Sequence, residues 1–184
     1  MASPTDSSFD PTGAVRFDLK SGSASDSRGA RLVLVPSEAI ESLDATALDA
    51  VGLAIGRACG ARVAARLGGS DGVRAASLEV AIAHIAGELA VAGIGAAHVE
   101  RWGRAMVVIV SNASVADDTF VGAALSGALS AATGRDVTAA ALGREGSEAR
   151  YFLGSAATAD RAQQLVQAGK SYAEVVAILQ GGSS

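Results

Sequence analysis

The chain has 184 residues and a net charge of −4, which argues against a chain-wide electrostatic footprint for nucleic acid or an anionic membrane surface. Hydrophobic residues make up 49% of it, yet 41 alanines supply much of that and aromatics only 4%, so closely packed helices with small-residue contacts are expected in one domain with appendages. The single cysteine, Cys59, excludes an internal disulfide, and no Arg/Lys-led apolar segment opens the chain, which together predict a cytoplasmic protein.

Residues 1–30 are rich in Ser, Asp, Gly and Pro and are expected to form a disordered arm. One segment interrupts them: AVRFDL, 14–19, alternates apolar and charged residues. A strand added to a sheet edge, a linear motif docking on a partner through Phe17, and a solvated tail all fit that alternation. RLVLVP, 31–36, reads as a short strand ended by Pro36, after which Ser37 and Glu38 open a turn of helix. From Ala45 to Leu67, Leu48, Val51, Ile55, Ala58, Cys59, Val63 and Leu67 recur at helical spacing. Gly52, Gly56 and Gly60 lie on successive turns of that helix. Each costs about 1 kcal/mol relative to alanine, and the close approach of another backbone is the reason to accept it. GGSDG, 68–72, reads as a loop.

A second helix is expected from Ser77 to about Ala92, with Leu78, Ile82, Ile85 and Leu89 as its core stripe and Gly93 and Gly95 ending it. Two strands, 96–101 and 104–111, follow around a Trp-Gly turn in which Arg101 and Arg104 flank Trp102. Asp117 or Asp118 can cap a third helix from Thr119 to Thr133. The stretch 119–134 is the longest without a charged residue or His in the body of the chain, and with three glycines it is too short and too polar to span a bilayer. DVTAAAL and EARYFLG form a hairpin over GREGS, and 157–168 and 171–180 read as a helix pair with capping-box spacing between Ser171 and Glu174. The tail GGSS is expected to be disordered. The order predicts an α+β fold, an antiparallel sheet of four to five strands with the helices on one face.

Few residues nominate chemistry. His84 lies between Ile82 and Ile85, His98 alternates with apolar neighbours, and neither has the spacing of a metal ligand set. Cys59 sits on an apolar helical face and reads as a buried structural thiol. Glu79 and Glu88, nine residues apart, and Glu38 and Glu41 have no spacing that marks an acid–base couple. GGSDG lacks the Lys-Ser/Thr of a phosphate loop, and GKS at 169–171 lacks the upstream glycine. Trp102 fits an exposed interface anchor and a ring folded back over the sheet edge equally well.

Taken together, GLAIGRACGARVAARL, GELAVAGIGAAHVER, MVVIVSNASVADDTFVGAALSGALSAATGRDV and GREGSEARYFLG resemble the 4-vinyl-reductase-type ligand-binding domain, whose superfamily includes small subunits of TRAPP transport complexes. The resemblance covers roughly 31–154, leaving 155–184 as the helix pair and tail. Family members often carry Cys, three residues, Gly, three residues, Cys, one residue, Phe in the last hairpin. Gly146 and Phe152 match, but Leu142 and Arg150 stand where the cysteines would be, and neither side chain ligates a metal. The metal function of that family's sensor branch is therefore not carried over; no metal and no cofactor are expected.

What the resemblance implies is a homodimeric, TRAPP-like, non-enzymatic scaffold or adaptor in a bacterial cytosolic assembly. Partner contacts would come from Phe17, Trp102, Tyr172, Val175, Val176 and Leu179. The alternative is a sensor or carrier that holds a small hydrophobic ligand or acyl chain near Leu125, Leu129, Leu142 and Phe152, with Arg150 meeting an acidic head group.

Overall fold

The computed structural model describes residues 9–103 and 105–181, so the start of the expected arm, Arg104 and the GGSS tail beyond 181 lie outside the described residues. In chain order the elements are β1 (Val15–Asp18), β2 (Ser23–Asp26), β3 (Arg31–Leu32), α1 (Ser37–Glu41), α2 (Ala45–Leu67), α3 (Gly69–Ala75), α4 (Leu78–Val91), β4 (Ala96–Trp102), β5 (Ala105–Ser111), α5 (Asp118–Thr133), β6 (Thr138–Glu145), β7 (Glu148–Gly154), α6 (Ala156–Gln167) and α7 (Tyr172–Gly181). The fold is α+β, with one four-stranded antiparallel sheet of order β4-β5-β7-β6 and a separate three-stranded sheet of order β1-β2-β3.

The main sheet is covered on both faces, which corrects the expectation of helices on one face. In β5, Val107, Val108, Ile109 and Val110 are all buried, whereas a strand with one solvated face would alternate. One face, with Val108, Val110, Tyr151 and Leu153, packs against α2, α4 and α5. The other, with Val107, Ala140, Leu142 and Phe152, is closed by Ala159 and Ala162 of α6 and Val175 and Val176 of α7.

Glycine spacing sets the helix layer. An added Cβ at Gly52, Gly56 or Gly60 would fall inside the van der Waals shell of the carbonyl oxygen of Phe120, Ala124 or Ala128, respectively. From the α5 side, a Cβ at Gly127 would lie 2.5 Å from the Leu53 carbonyl oxygen. The two helices run parallel and touch backbone to backbone, the close approach that the sequence requires. Asp117 caps α5 by accepting from the Phe120 N–H at 2.9 Å. Buried Tyr151 donates to Asp118 Oδ1 at 3.0 Å and ties that helix start to the sheet. Desolvation, then the nearby Asp118 carboxylate, push the Tyr151 phenol far above its usual range.

Helix α4 ends in a Schellman motif: Gly93 turns at φ 77°, its N–H bonds to Ala90 O, and Ile94 N–H reaches Leu89 O at 2.9 Å. Its buried face is Ala81, His84, Ile85, Glu88 and Leu89; Leu78, expected in the stripe, is exposed. GGSDG is helical rather than a loop, because α2 stops at Gly68 and the chain restarts as α3 to bury Val73. The expected strand 31–36 shortens to Arg31–Leu32.

The arm differs most from its expectation. Residues 15–32 form the second sheet, with Val15 opposite Asp26 and Ala24 opposite Leu32. Its turns are held by side chains acting on backbone. Asp18 Oδ1 accepts from the N–H groups of Lys20 and Ser21, and Asp26 Oδ1 from those of Arg28 and Ala30, both at 2.9 Å. Phe9 fixes the arm to α4. Its ring lies edge-on to His84 at 6.2 Å, under the Arg66 guanidinium at 4.9 Å, and against Gly87, where a Cβ would collide with it.

Candidate functional site

Between the small sheet and the α2/α4 pair lies a cavity of about 630 Å³. One helix face supplies its inner wall: Val51, Ile55, Ala58, Arg62 and Arg66 recur at steps of four, three, four and four, so α2 runs from apolar to cationic along the cavity. Val91 and Ala92 extend the inner wall at the end of α4, while Ala39, Ile40 and Leu43 line it around α1. The outer wall is Ala14, Val15, Leu32 and the irregular run Val33, Leu34 and Val35. A smaller space of about 230 Å³ shares Val35, Ile40, Ile55 and Ala92 with it and continues towards Phe120 and Val115.

The far end is polar. Glu88, only 2% exposed, takes Arg62 Nε on Oε2 at 2.5 Å and stands 2.7 Å from Arg66 Nη2 through Oε1. Oε1 has no partner in hydrogen-bond geometry among the described residues; the short separation is an ion contact that balances charge without filling that acceptor. Asp26 faces the same end from the small sheet. Desolvation pushes the Asp26 carboxyl up, but the N–H groups of Ala30 and Arg28 and the charges of Arg28 and Arg62 outweigh it and hold the group below its ordinary value. Arg62 is partly desolvated, which favours proton loss, yet the Glu88 hydrogen bond prevails and raises its pKa. Cys59 lies beneath: its Sγ donates to Glu88 O at 3.6 Å and accepts from Arg62 Nη2 at 3.3 Å. Burial pushes this thiol up to about 11, so it is neither a nucleophile nor a ligand at neutral pH.

None of the five residues expected to form a ligand pocket lines either cavity. Leu125 and Leu129 are buried on the α5 side of the main sheet, Leu142 and Phe152 on the α6/α7 side, and the sheet separates the pairs. Arg150 shares the second face. It is engaged by Glu145 Oε2 at 3.0 Å, Glu148 Oε2 at 3.6 Å and the Tyr172 ring at 5.0 Å. The hairpin thus holds an ion-paired arginine at this position.

The expected partner residues also divide. Val175 and Val176 are fully buried against their own sheet, so they offer no groove-docking face. Trp102 folds back: its ring meets Tyr172 edge-on at 5.5 Å, Nε1 donates to Glu100 Oε2 at 2.9 Å, and Gln180 Nε2 donates to the Trp102 carbonyl. Tyr172 and Leu179 pack partly buried in the same cluster. Only Phe17, 60% exposed, is free for contact.

Sequence reasoning missed Glu88, Arg62 and Arg66. The signal was present: Glu88 interrupts the stripe between Ile85 and Leu89, and two arginines four residues apart share a phase with Val51 and Ile55. Among the described residues, no three or more His, Cys, Asp or Glu side chains gather as a metal site, and no helix is long and apolar enough to cross a membrane. Compared with family models, curated proteins and solved structures, the chain matches none.

Proposed function

We propose that this protein binds a small molecule with an apolar body, as a carrier or sensor, in the cavity between its N-terminal sheet and α2/α4. One observation carries the reading. Among the described residues, seven large hydrophobic side chains are left exposed, Phe17, Leu19, Val33, Leu34, Val35, Leu43 and Leu78, and four of them line this cavity. Together with Leu32, Ile40, Val51 and Ile55 they form an apolar wall that a ligand with an apolar body would cover. A volume of 630 Å³ is in the range of small-ligand sites and has room for roughly twenty water-sized groups. The resemblance to 4-vinyl-reductase-type domains, with the apolar ligands it implies, belongs to the same proposal.

The test is native mass spectrometry of the purified protein, followed by denaturation to release bound material, on the wild type and on Ala58→Trp. Ala58 faces the cavity from a helix whose opposite side is packed, so the indole fills the space rather than the core. A discrete apolar adduct on the wild type, absent from the variant, supports the reading. Bare wild-type protein that also fails to take up an added apolar fluorophore sinks it.

A second reading, a dimerising TRAPP-like scaffold, is favoured by Phe17 and by Leu19 at 90% exposure beside the free edge of β1. A second chain could add its own strand there. Sedimentation velocity distinguishes it: a dimer that Phe17→Arg converts to monomer supports the scaffold, and a monomeric wild type removes it.

A further inference from the structure

Resting on the dimer reading above, we propose that β1 pairs antiparallel with the β1 of a second copy of this chain, in the register that sets Phe17 opposite the partner's Phe17 and Arg16 opposite the partner's Asp18. Val15 and Asp26, opposed at one end of the β1-β2 hairpin, line the cavity, whereas every residue from Arg16 to Gly22 is exposed. The other end of the hairpin therefore projects from the helices. Strand β1 is an edge: β2 pairs with it on one side, and no strand among the described residues pairs on the other. Edge strands are commonly blunted by like charges, a proline or a bulge. This one has no proline and a regular ladder, and its two charges have opposite signs. Phe17 is 60% exposed on it, and Leu19, just past its end, is 90% exposed.

Backbone geometry limits how two identical strands meet. In an antiparallel pair, opposed residues both aim their N–H and C=O groups at the partner or both aim them away, and that direction alternates along each strand. Opposed positions in two copies of β1 are therefore both odd or both even, which puts the two-fold axis on a residue and never between two. Of the four centres that β1 offers, three fail. Arg16 at the centre opposes two guanidinium groups, and Asp18 opposes two carboxylates while setting Arg16 against the partner's Lys20. Like charges directly opposite destabilise a strand pair. Val15 at the centre runs Phe17 against the partner's Gly13, where the chain turns with φ 71°. Phe17 at the centre opposes the two rings and places each Arg16 across from an Asp18, two ion pairs made by one symmetry axis. Asp18 is held in place by the N–H groups of Lys20 and Ser21 and by Ser21 Oγ, and its carboxylate has lone pairs to spare. Phe17 shares the cavity face with Val15, so the rings meet on the inner face and the ion pairs on the outer one. A foreign strand would have to supply this pattern; a second copy already carries it.

The test reads oligomeric state and register separately, on full-length protein. A single seam of this length is smaller than a standard interface, so sedimentation velocity should show a weak, concentration-dependent dimer. Phe17→Cys and Arg16→Cys are each left to oxidise, with wild type as the control because Cys59 is buried. Phe17→Cys should form the interchain disulfide at least about tenfold faster than Arg16→Cys, whose sulfurs stand two positions out of register. Arg16→Glu faces Asp18 with a like charge on both sides of the axis and should raise the dimer dissociation constant by about tenfold or more. Both positions are exposed, so neither change threatens the fold. A wild-type dimer in which Arg16→Cys links as fast as Phe17→Cys, or which Arg16→Glu leaves unchanged, overturns the register while the dimer reading stands. A wild type that stays monomeric up to about 1 mM overturns both. A peptide of residues 13–20 should compete with the dimer; a scrambled peptide that competes equally shows an edge that takes any extended segment, and overturns the assignment of a second copy.

Discussion

Gly56 of α2 lies directly beneath the carbonyl oxygen of Ala124 in α5, with no room for even a methyl group between the two backbones. The same meshing repeats one turn either way, at Gly52 against Phe120 and Gly60 against Ala128. Gly56→Ala should therefore destabilise, although alanine is the better helix former by about 1 kcal/mol. Overpacking of this kind costs about 1–3 kcal/mol, and here the obstructing atom is backbone, which cannot swing aside. A fall in the thermal midpoint of several degrees is expected; a rise would show that the helices separate at little cost.

Removing α6 and α7 should abolish folding rather than merely remove a binding partner. Truncation after Gly154 uncovers Val107, Leu142 and Phe152 across one whole sheet face. That patch would drive association. The truncated chain is expected to be insoluble, or to bind a hydrophobic dye with no cooperative unfolding transition. A soluble, cooperatively folding 1–154 fragment would return Val175 and Val176 to the list of partner contacts.

The Cys59 thiol gives an alkaline signature. Its folded pKa, raised to about 11 by burial, lies above the ordinary thiol value of 9.0. The unfolded chain therefore loses its proton first, and the native state is favoured in full only below pH 9.0. Stability should fall as pH rises from there through about 11, and Cys59→Ala should lack that component. Iodoacetamide labelling near neutral pH checks the same burial: native protein should react far more slowly than protein in denaturant.

At the acid end the small sheet carries the dependence. Asp26 has a folded pKa below 3.8, so its contribution is present above that value and lost as pH falls through the lower one. Hydrogen exchange of residues 15–32 should accelerate in that window while β5 and β7 stay protected. Asp26→Asn should make that exchange fast at neutral pH too, because an amide is a weaker acceptor for the Arg28 and Ala30 N–H groups.

Glu88→Ala should be among the most damaging single changes. It strands Arg62, whose side chain is 13% exposed, beside Arg66 with no carboxylate between them. Breaking a buried pair from one side costs about 3–5 kcal/mol. Urea unfolding reads this directly, and Glu88→Gln should cost less because it keeps an acceptor.

Much of this architecture was legible in the residues. Three glycines at four-residue spacing announced a backbone contact, and the caps at Asp117, Ser77 and Ser171 marked helix starts that the chain uses. Of the small sheet, AVRFDL and RLVLVP were legible as strand segments, but β2 was not, because SGSASDSRGA has no apolar alternation; its order comes from Asp18 and Asp26 acting on backbone N–H groups. DLKSG and DSRG were the turn signals available for it. The apolar face of α7 was visible, but periodicity does not say whether such a face closes on its own sheet or on another chain. Glu88 is legible only through its phase within α4, on the buried stripe with Ile85 and Leu89; its distance from Glu79 carries no signal.

The two walls of the cavity are held in different ways, and that bears on how a ligand would exchange. The inner wall is chiefly α2, which meets α5 by direct backbone contact. The outer wall is a three-stranded ribbon held by its own ladder and two aspartate turns. Such a unit opens locally with a free energy far below that of the whole domain. A ligand's residence time would then follow the opening frequency of residues 15–32, so mutations in the ribbon would tune release without altering the melting of the main sheet.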